Sequence, residues 1–169
     1  SFLYIFVGTF LGGGLVLNNQ LVNGKTGNAG AIGSLPFYNG STQSQLITQS
    51  SLYLLERKLN DAGHNGQHIY ESPSHWSCDT RSIEDWLSET ARGLAFATQC
   101  AMSLLDLDGV IIDGAIPDDV KNALVAHTQS AMETLDMRGL AQVHISEGLV
   151  GRKAQSIGSA NLALQANYY

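Results

Sequence analysis

Cysteine, proline and positive charge are all in short supply here. Of 169 residues only Cys78 and Cys100 are cysteine and only three are proline. Two thiols in a chain of this size give no disulfide framework, so a reducing, cytoplasmic setting is expected. Nine Lys and Arg stand against fifteen Asp and Glu, a net charge of −6. The nine are scattered from Lys25 to Lys153 with no run that would neutralise a phosphate backbone, which makes this segment a poor DNA binder on its own. No apolar stretch has the length of a membrane span. The opening Phe2-Leu3-Tyr4-Ile5-Phe6-Val7 lacks the basic start of a signal peptide and reads as a buried strand. A chain that opens in mid-strand without Met is expected to be a piece of something longer.

Apolar side chains, by contrast, make up 44% and glycines number 18. That is enough for one domain with a sizeable core. Residues 2–9 carry the aromatic and β-branched side chains of a strand. Gly12-Gly13-Gly14 reads as a glycine-rich turn, Leu15-Val16-Leu17 as a second strand, Asn18-Asn19 as a turn and Gln20-Leu21-Val22 as a third strand. The three make an antiparallel meander. A second glycine-rich segment, 24–33, leads into a loop marked by Pro36, Asn39 and Gly40. Glycines in such segments let backbone amides approach an anion closely.

Farther on, Leu52, Leu55 and Leu59 recur at helical spacing and predict a helix over 44–59, followed by a polar irregular stretch over 64–81. Ser82 with Asp85 resembles a capping box and opens a long helix that ends at Asp106 and Asp108. Val110-Ile111-Ile112 is a short apolar strand of the kind found in a sheet covered on both faces. Pro117, Asp118 and Asp119 start the next helix, with Val120, Leu124, Thr128, Met132 and Leu135 facing inward. A strand is expected over 141–145 and a small-residue helix over 154–166. The sum is an α/β layer stack.

The order of these motifs resembles the carboxyl-terminal lobe of the ROK family (repressor, open reading frame, kinase). The matching residues are Gly8-Thr9 with Gly12-Gly13-Gly14, Asn28-Ala29-Gly30 with Ile32-Gly33, Leu104-Leu105-Asp106 through Asp113-Gly114, and Ile157-Gly158-Ser159-Ala160. The resemblance spans nearly the whole chain. It implies an actin-like ATPase (ribonuclease H-like) lobe with a mixed sheet and covering helices. It also implies a ligand site drawn from Gly8, Thr9, Gly12, Gly13, Asn28, Gly30, Ala31 and Ser34.

The chain departs from the family pattern at the positions that hold ligands. Where family kinases carry Gly-Thr-Gly at the phosphate turn, this chain has Gly8-Thr9-Phe10. Where sugar-binding members carry Ala-Gly-Glu-Ile-Gly-His, it reads Ala29-Gly30-Ala31-Ile32-Gly33-Ser34. The cysteines of the family's zinc site are missing between Ser34 and Leu52, and Ile47 stands where a further sugar-binding Glu is expected. Each lost carboxylate removes a charge-assisted hydrogen bond of roughly 1.5–3 kcal/mol, so binding of a hexose in the usual way is not expected. Neither a metal nor a cofactor is implied, except ATP with magnesium if the chain is a divergent kinase.

Other constellations have plainer readings. His64, His68, His75 and Cys78 include zinc-ligand types, but there is no second tight pair and a polar surface loop accounts for them. Asp113 at a strand end reads as a turn residue rather than a catalytic one. Cys100, among Ala97, Ala101 and Leu104, reads as a packed thiol rather than a nucleophile. No Ser, His and Asp are spaced as a triad.

Three functions follow from the resemblance. The first is the effector-sensing and oligomerisation lobe of a transcriptional regulator. Its partners would be a small effector, with a sugar among the candidates, and further copies of itself; DNA would be reached only through an upstream domain, and no membrane is involved. The second is a divergent sugar kinase. The third is a structural module that has kept the fold and a dimer interface but lost all ligands.

Overall fold

A computed structural model describes residues 1–72, 74–77, 79–154 and 156–157. Its main sheet is mixed, in the order β3-β2-β1-β6-β7. Strands β1 (Phe2–Val7), β2 (Leu11–Leu17) and β3 (Gln20–Val22) form the antiparallel meander; β6 (Gly109–Gly114) and β7 (His144–Glu147) add to it in parallel. A hairpin of β4 (Pro36–Asn39) and β5 (Thr42–Gln45) stands apart. Helices α1 (Leu52–Asp61), α2 (His68–Glu71) and α3 (Thr80–Leu105) fall between the hairpin and β6, and α4 (Asp118–Met132) falls between β6 and β7.

Alternation along β1 sets the layers. Leu3, Ile5 and Val7 are buried and join Val110 and Ile112 of β6, Leu55 of α1, Trp86 and Leu94 of α3 and Leu124 of α4 in one core. Phe2, Tyr4 and Phe6, on the opposite face, are half-buried. Trp86 is fully buried, and its indole N–H donates to the Ser51 carbonyl at 3.1 Å. This single bond ties the long helix to the start of α1.

Several boundaries differ from the sequence reading. Gly12-Gly13-Gly14 is no turn: all three lie inside β2, paired with Phe6, Ile5 and Tyr4. The chain reverses one step earlier, at residues 8–10. Residues 44–51 are not helical, because the stretch read as loop and helix start forms the β4–β5 hairpin and a 3₁₀ turn, Leu46–Thr48. Gly40, at φ +64°, makes the hairpin turn. The long helix is capped by Asp79 rather than by a Ser82–Asp85 box. The Asp79 carboxylate accepts from the Ser82 amide at 3.0 Å and the Ser82 hydroxyl at 2.6 Å, so Ser82 is a donor to the cap. That helix does end as expected, on Asp106 in the left-handed region (φ 48°). α4 stops at Met132, before Leu135, and the last strand begins at His144 rather than Ala141. The helix read over 154–166 lies outside the described residues from 158 on, as does Cys78.

Candidate functional site

Parallel strands bring their carboxyl ends to one edge, the usual ligand side of an open α/β sheet. Here that edge gathers the β1–β2 turn (8–10), Ala115 to Pro117 after β6, and Gly148 to Gly151 after β7. The amide of Ala115 donates to the Val7 carbonyl at 3.0 Å and that of Gly148 to the Ile112 carbonyl at 2.8 Å, which locks the three exits together.

Asp113 is the polar centre of this edge. It lies inside β6, fully buried. The Tyr4 hydroxyl donates to its carboxylate at 2.7 Å, the Gly114 amide at 2.8 Å, the Val150 amide at 3.1 Å and the Gly151 amide at 2.9 Å. The buried Lys121 ammonium sits 3.8 Å away. It also donates to the Gly148 carbonyl at 2.8 Å and meets Asp118 at 3.1 Å. A Cβ on Gly148 would collide with the Asp113 side chain, so only glycine lets the post-β7 loop cross here. The reading of Asp113 as a turn residue is therefore corrected: it pins two chain segments and a lysine from within a strand.

The charges respond accordingly. Burial works against the Asp113 anion, but the Tyr4 hydroxyl, the Gly151 and Gly114 amides and Lys121 outweigh it and hold its carboxyl below the usual range. Burial, the bond to Asp113 and that group's charge push the Tyr4 hydroxyl well above its ordinary value. The signs are opposite. Asp113, with its folded value depressed, stabilises the protein fully above about pH 5, and this is lost as pH falls through about 4 and below. Tyr4, with its value raised, stabilises fully below about pH 9, and this is lost as pH climbs past about 10. Urea denaturation across the pH range should show both limbs, with Tyr4→Phe flattening the alkaline one. An alkaline limb unchanged in Tyr4→Phe would refute the coupling.

Beside this pair lies a cleft of about 500 Å³ lined by Ile116, Pro117, Lys121, Val150, Arg152 and neighbours. None of the residues expected at a ligand site lines it. The expected residues divide. Gly8 is buried and Thr9 exposed at the turn, where the Gly8 and Thr9 carbonyls accept from the first α1 amides, Leu52 and Tyr53. Phe10 is 61% exposed, its ring 6.2 Å from that of Tyr53. The 24–33 segment runs along β2. Gly30 lies against Gly14, and Gly33 against Leu11, the partner of Val7. Ser34 therefore reaches the turn end, while Gly30 and Ala31 sit roughly 10 Å farther down the strand. Asn28 is exposed near the end of β3, next to Ala29, whose amide donates to the Asn23 carbonyl. Gly12 and Gly13 lie between the two groups. Ile47 packs against Gly33 instead of presenting a polar group. His64, His68 and His75 are exposed, and no three His, Cys, Asp or Glu among the described residues come together as metal ligands.

Sequence reasoning missed Lys121 and Tyr4 altogether. The signal available was an Asp at the end of an apolar strand, with a tyrosine placed in the neighbouring strand to meet it.

No protein-family model matches the chain. A curated relative, the uncharacterized protein y4fQ of Sinorhizobium fredii, is 24% identical over 159 residues, covering 92% of this chain and 38% of the relative. Among solved structures, the ROK hexokinase of Thermus thermophilus superposes with a TM-score of 0.69 at 20% identity, covering 98% of this chain and 60% of that one. The ROK family glucokinase of Streptomyces griseus, solved with glucose and AMPPNP, gives 0.73 at 21%, covering 97% and 60%. A ROK family transcriptional regulator, a homolog of the E. coli MLC protein, gives 0.67 at 18%, covering 86% and 41%.

The chain thus has the ROK fold, an actin-like ATPase lobe with a mixed sheet and covering helices. It spans about three fifths of those kinases and less than two fifths of the curated relative. No helix among the described residues is long and apolar enough to cross a membrane.

Proposed function

We propose that the chain is the carboxyl-terminal, effector-sensing and oligomerisation lobe of a cytoplasmic ROK-type transcriptional regulator, with its DNA-binding domain upstream. The observation that carries this reading is one of length. The chain covers 38% of its curated relative and 41% of the ROK regulator, against 60% of the ROK hexokinase. A relative that long has room for a domain beyond the two lobes of a kinase. The site chemistry agrees: an exposed phenyl ring stands at the phosphate turn, Ala31 and Ser34 replace a carboxylate and an imidazole, and Ile47 is absorbed into packing. The mechanism is closure of two lobes around an effector, which resets the spacing of the DNA-binding heads.

A sugar kinase is the second reading, favoured by the Gly8-Thr9 turn and by the kinases that share the fold. The two separate on the full-length protein. It should retard duplex DNA from its own upstream region in a gel shift, and it should transfer no phosphate from ATP to hexoses. Sugar-dependent ATP consumption without DNA binding would overturn the regulator reading.

A further inference from the structure

Beside the last turns of α3 the surface opens into an apolar crevice of about 220 Å³. Leu3 and Leu15 line it from the sheet, Ala31 from the glycine-rich segment, Leu35 from just beyond it, and Ala101 and Leu104 from the helix. No lining side chain is charged, and the Cys100 thiol is its one polarisable group. Leu104, at 82% exposure, is far more open to water than a leucine at the edge of a core ordinarily is.

Size and chemistry together restrict what this space takes. A cavity of about 150 Å³ lined by aliphatic side chains suffices for benzene, and the crevice is larger. A sugar placed here would lose water from its hydroxyls and find only methyl and methylene groups in exchange. A ligand made of rings without charge loses little water and covers apolar surface. Ala31 contributes only a methyl group on the loop side, so with Leu35 and Leu104 it continues the apolar wall that an uncharged ring can cover.

We infer that this crevice binds a small, uncharged, apolar molecule of one or two rings, held by Leu3, Leu15, Ala31, Leu35, Ala101 and Leu104. Coupling to regulation rests on the sensor reading, since the inference names the class of its effector; binding itself does not.

Cys100 reports occupancy directly. Its thiol is half-buried, and burial raises its pKa, so it alkylates at a slow, measurable rate. In the full-length protein, iodoacetamide modification of the Cys100 peptide is followed by mass spectrometry, with toluene or indole as probe and glucose as control. The expected result is a saturable, several-fold slowing by either probe and none by glucose. Ala101→Leu fills the crevice from the helix and Ala31→Glu charges it from the loop. Each should return the rate with probe to its probe-free value. If Ala101→Leu fails to fold, Ala31→Glu, at a half-buried loop position, carries the test. An unchanged rate at saturating probe, or equal slowing in the folded variants, overturns the inference. So does protection that grows with protein concentration in the absence of probe, which would show a second copy on this face. DNA retardation is not read in this assay, so the failure of one proposal is distinguishable from the failure of the other.

Discussion

Replacing Asp113 by Ala is expected to destabilise the protein by about 3–5 kcal/mol, the scale for breaking a buried ion pair from one side. The reason lies in the one-sided chemistry around it. Each of its neighbours (the Tyr4 hydroxyl, the amides of Gly114, Val150 and Gly151, and Lys121) offers a proton. Removing the carboxylate takes their shared acceptor from the Tyr4 hydroxyl and the three amides, beside a lysine that is itself buried. Lys121 keeps the Gly148 carbonyl and Asp118, which limits the loss. Asn is no mild substitute, because its amide nitrogen would face a backbone amide whichever way it turned. Asp113→Asn should therefore fall within about 1 kcal/mol of Asp113→Ala, while Tyr4→Phe, which removes one bond, should cost about 1–2 kcal/mol. Urea denaturation of the three variants checks the order. An Asn variant as stable as the parent would mean that neither the charge nor the second acceptor oxygen matters here.

This cluster also marks where legibility ended. The meander was readable because strand alternation and the Asn18-Asn19 turn are local signals, and the two helices around β6 because their apolar spacing is strong. Asp113 was readable only as a residue type at a strand end. Its role depends on a loop 37 residues away in sequence folding back across β6, which no local pattern encodes. The same holds for Gly12-Gly13-Gly14. A glycine triplet after a strand has the composition of a turn, and only the Gly30 carbonyl, standing where a Gly13 Cβ would lie, explains the middle one; a Cβ on Gly12 or Gly14 would meet nothing within 4 Å. The error over 44–51 was of another kind. Leu52, Leu55 and Leu59 mark the helix, but Gly40 reads only as loop, and nothing within 44–51 separates a helix start from the returning strand of the hairpin that turns at Gly40. The residues expected at a ligand site stand apart along β2, and that separation is not legible in the sequence. Spacing within a loop says nothing about the direction in which the loop crosses a sheet.

The glycine segments are therefore to be read as packing devices first, and a matched pair of substitutions tests this. Gly27 and Gly30 both hold left-handed backbone, at φ +72° and +80°. A Cβ on Gly27 would meet nothing within 4 Å, whereas one on Gly30 would stand 2.9 Å from the Gly14 Cα, main chain that has no side chain to move aside. Gly27→Ala thus carries the conformational penalty alone, roughly 1–2 kcal/mol. Gly30→Ala carries that penalty and must also push the segment off β2, so its loss should exceed that of Gly27→Ala by about 1–3 kcal/mol, the range for overpacking. Because Gly13 receives the Gly30 carbonyl from the other side, the displacement should spread to Ile32 and loosen the wall that carries Ala31. Paired denaturant titrations give the difference directly, and hydrogen exchange at Ala31 and Ile32 should rise in the Gly30 variant only. Equal losses in the two variants would show that the segment lies free of the strand. The glycines would then be left with the task their composition first suggests, a flexible cradle for an anion.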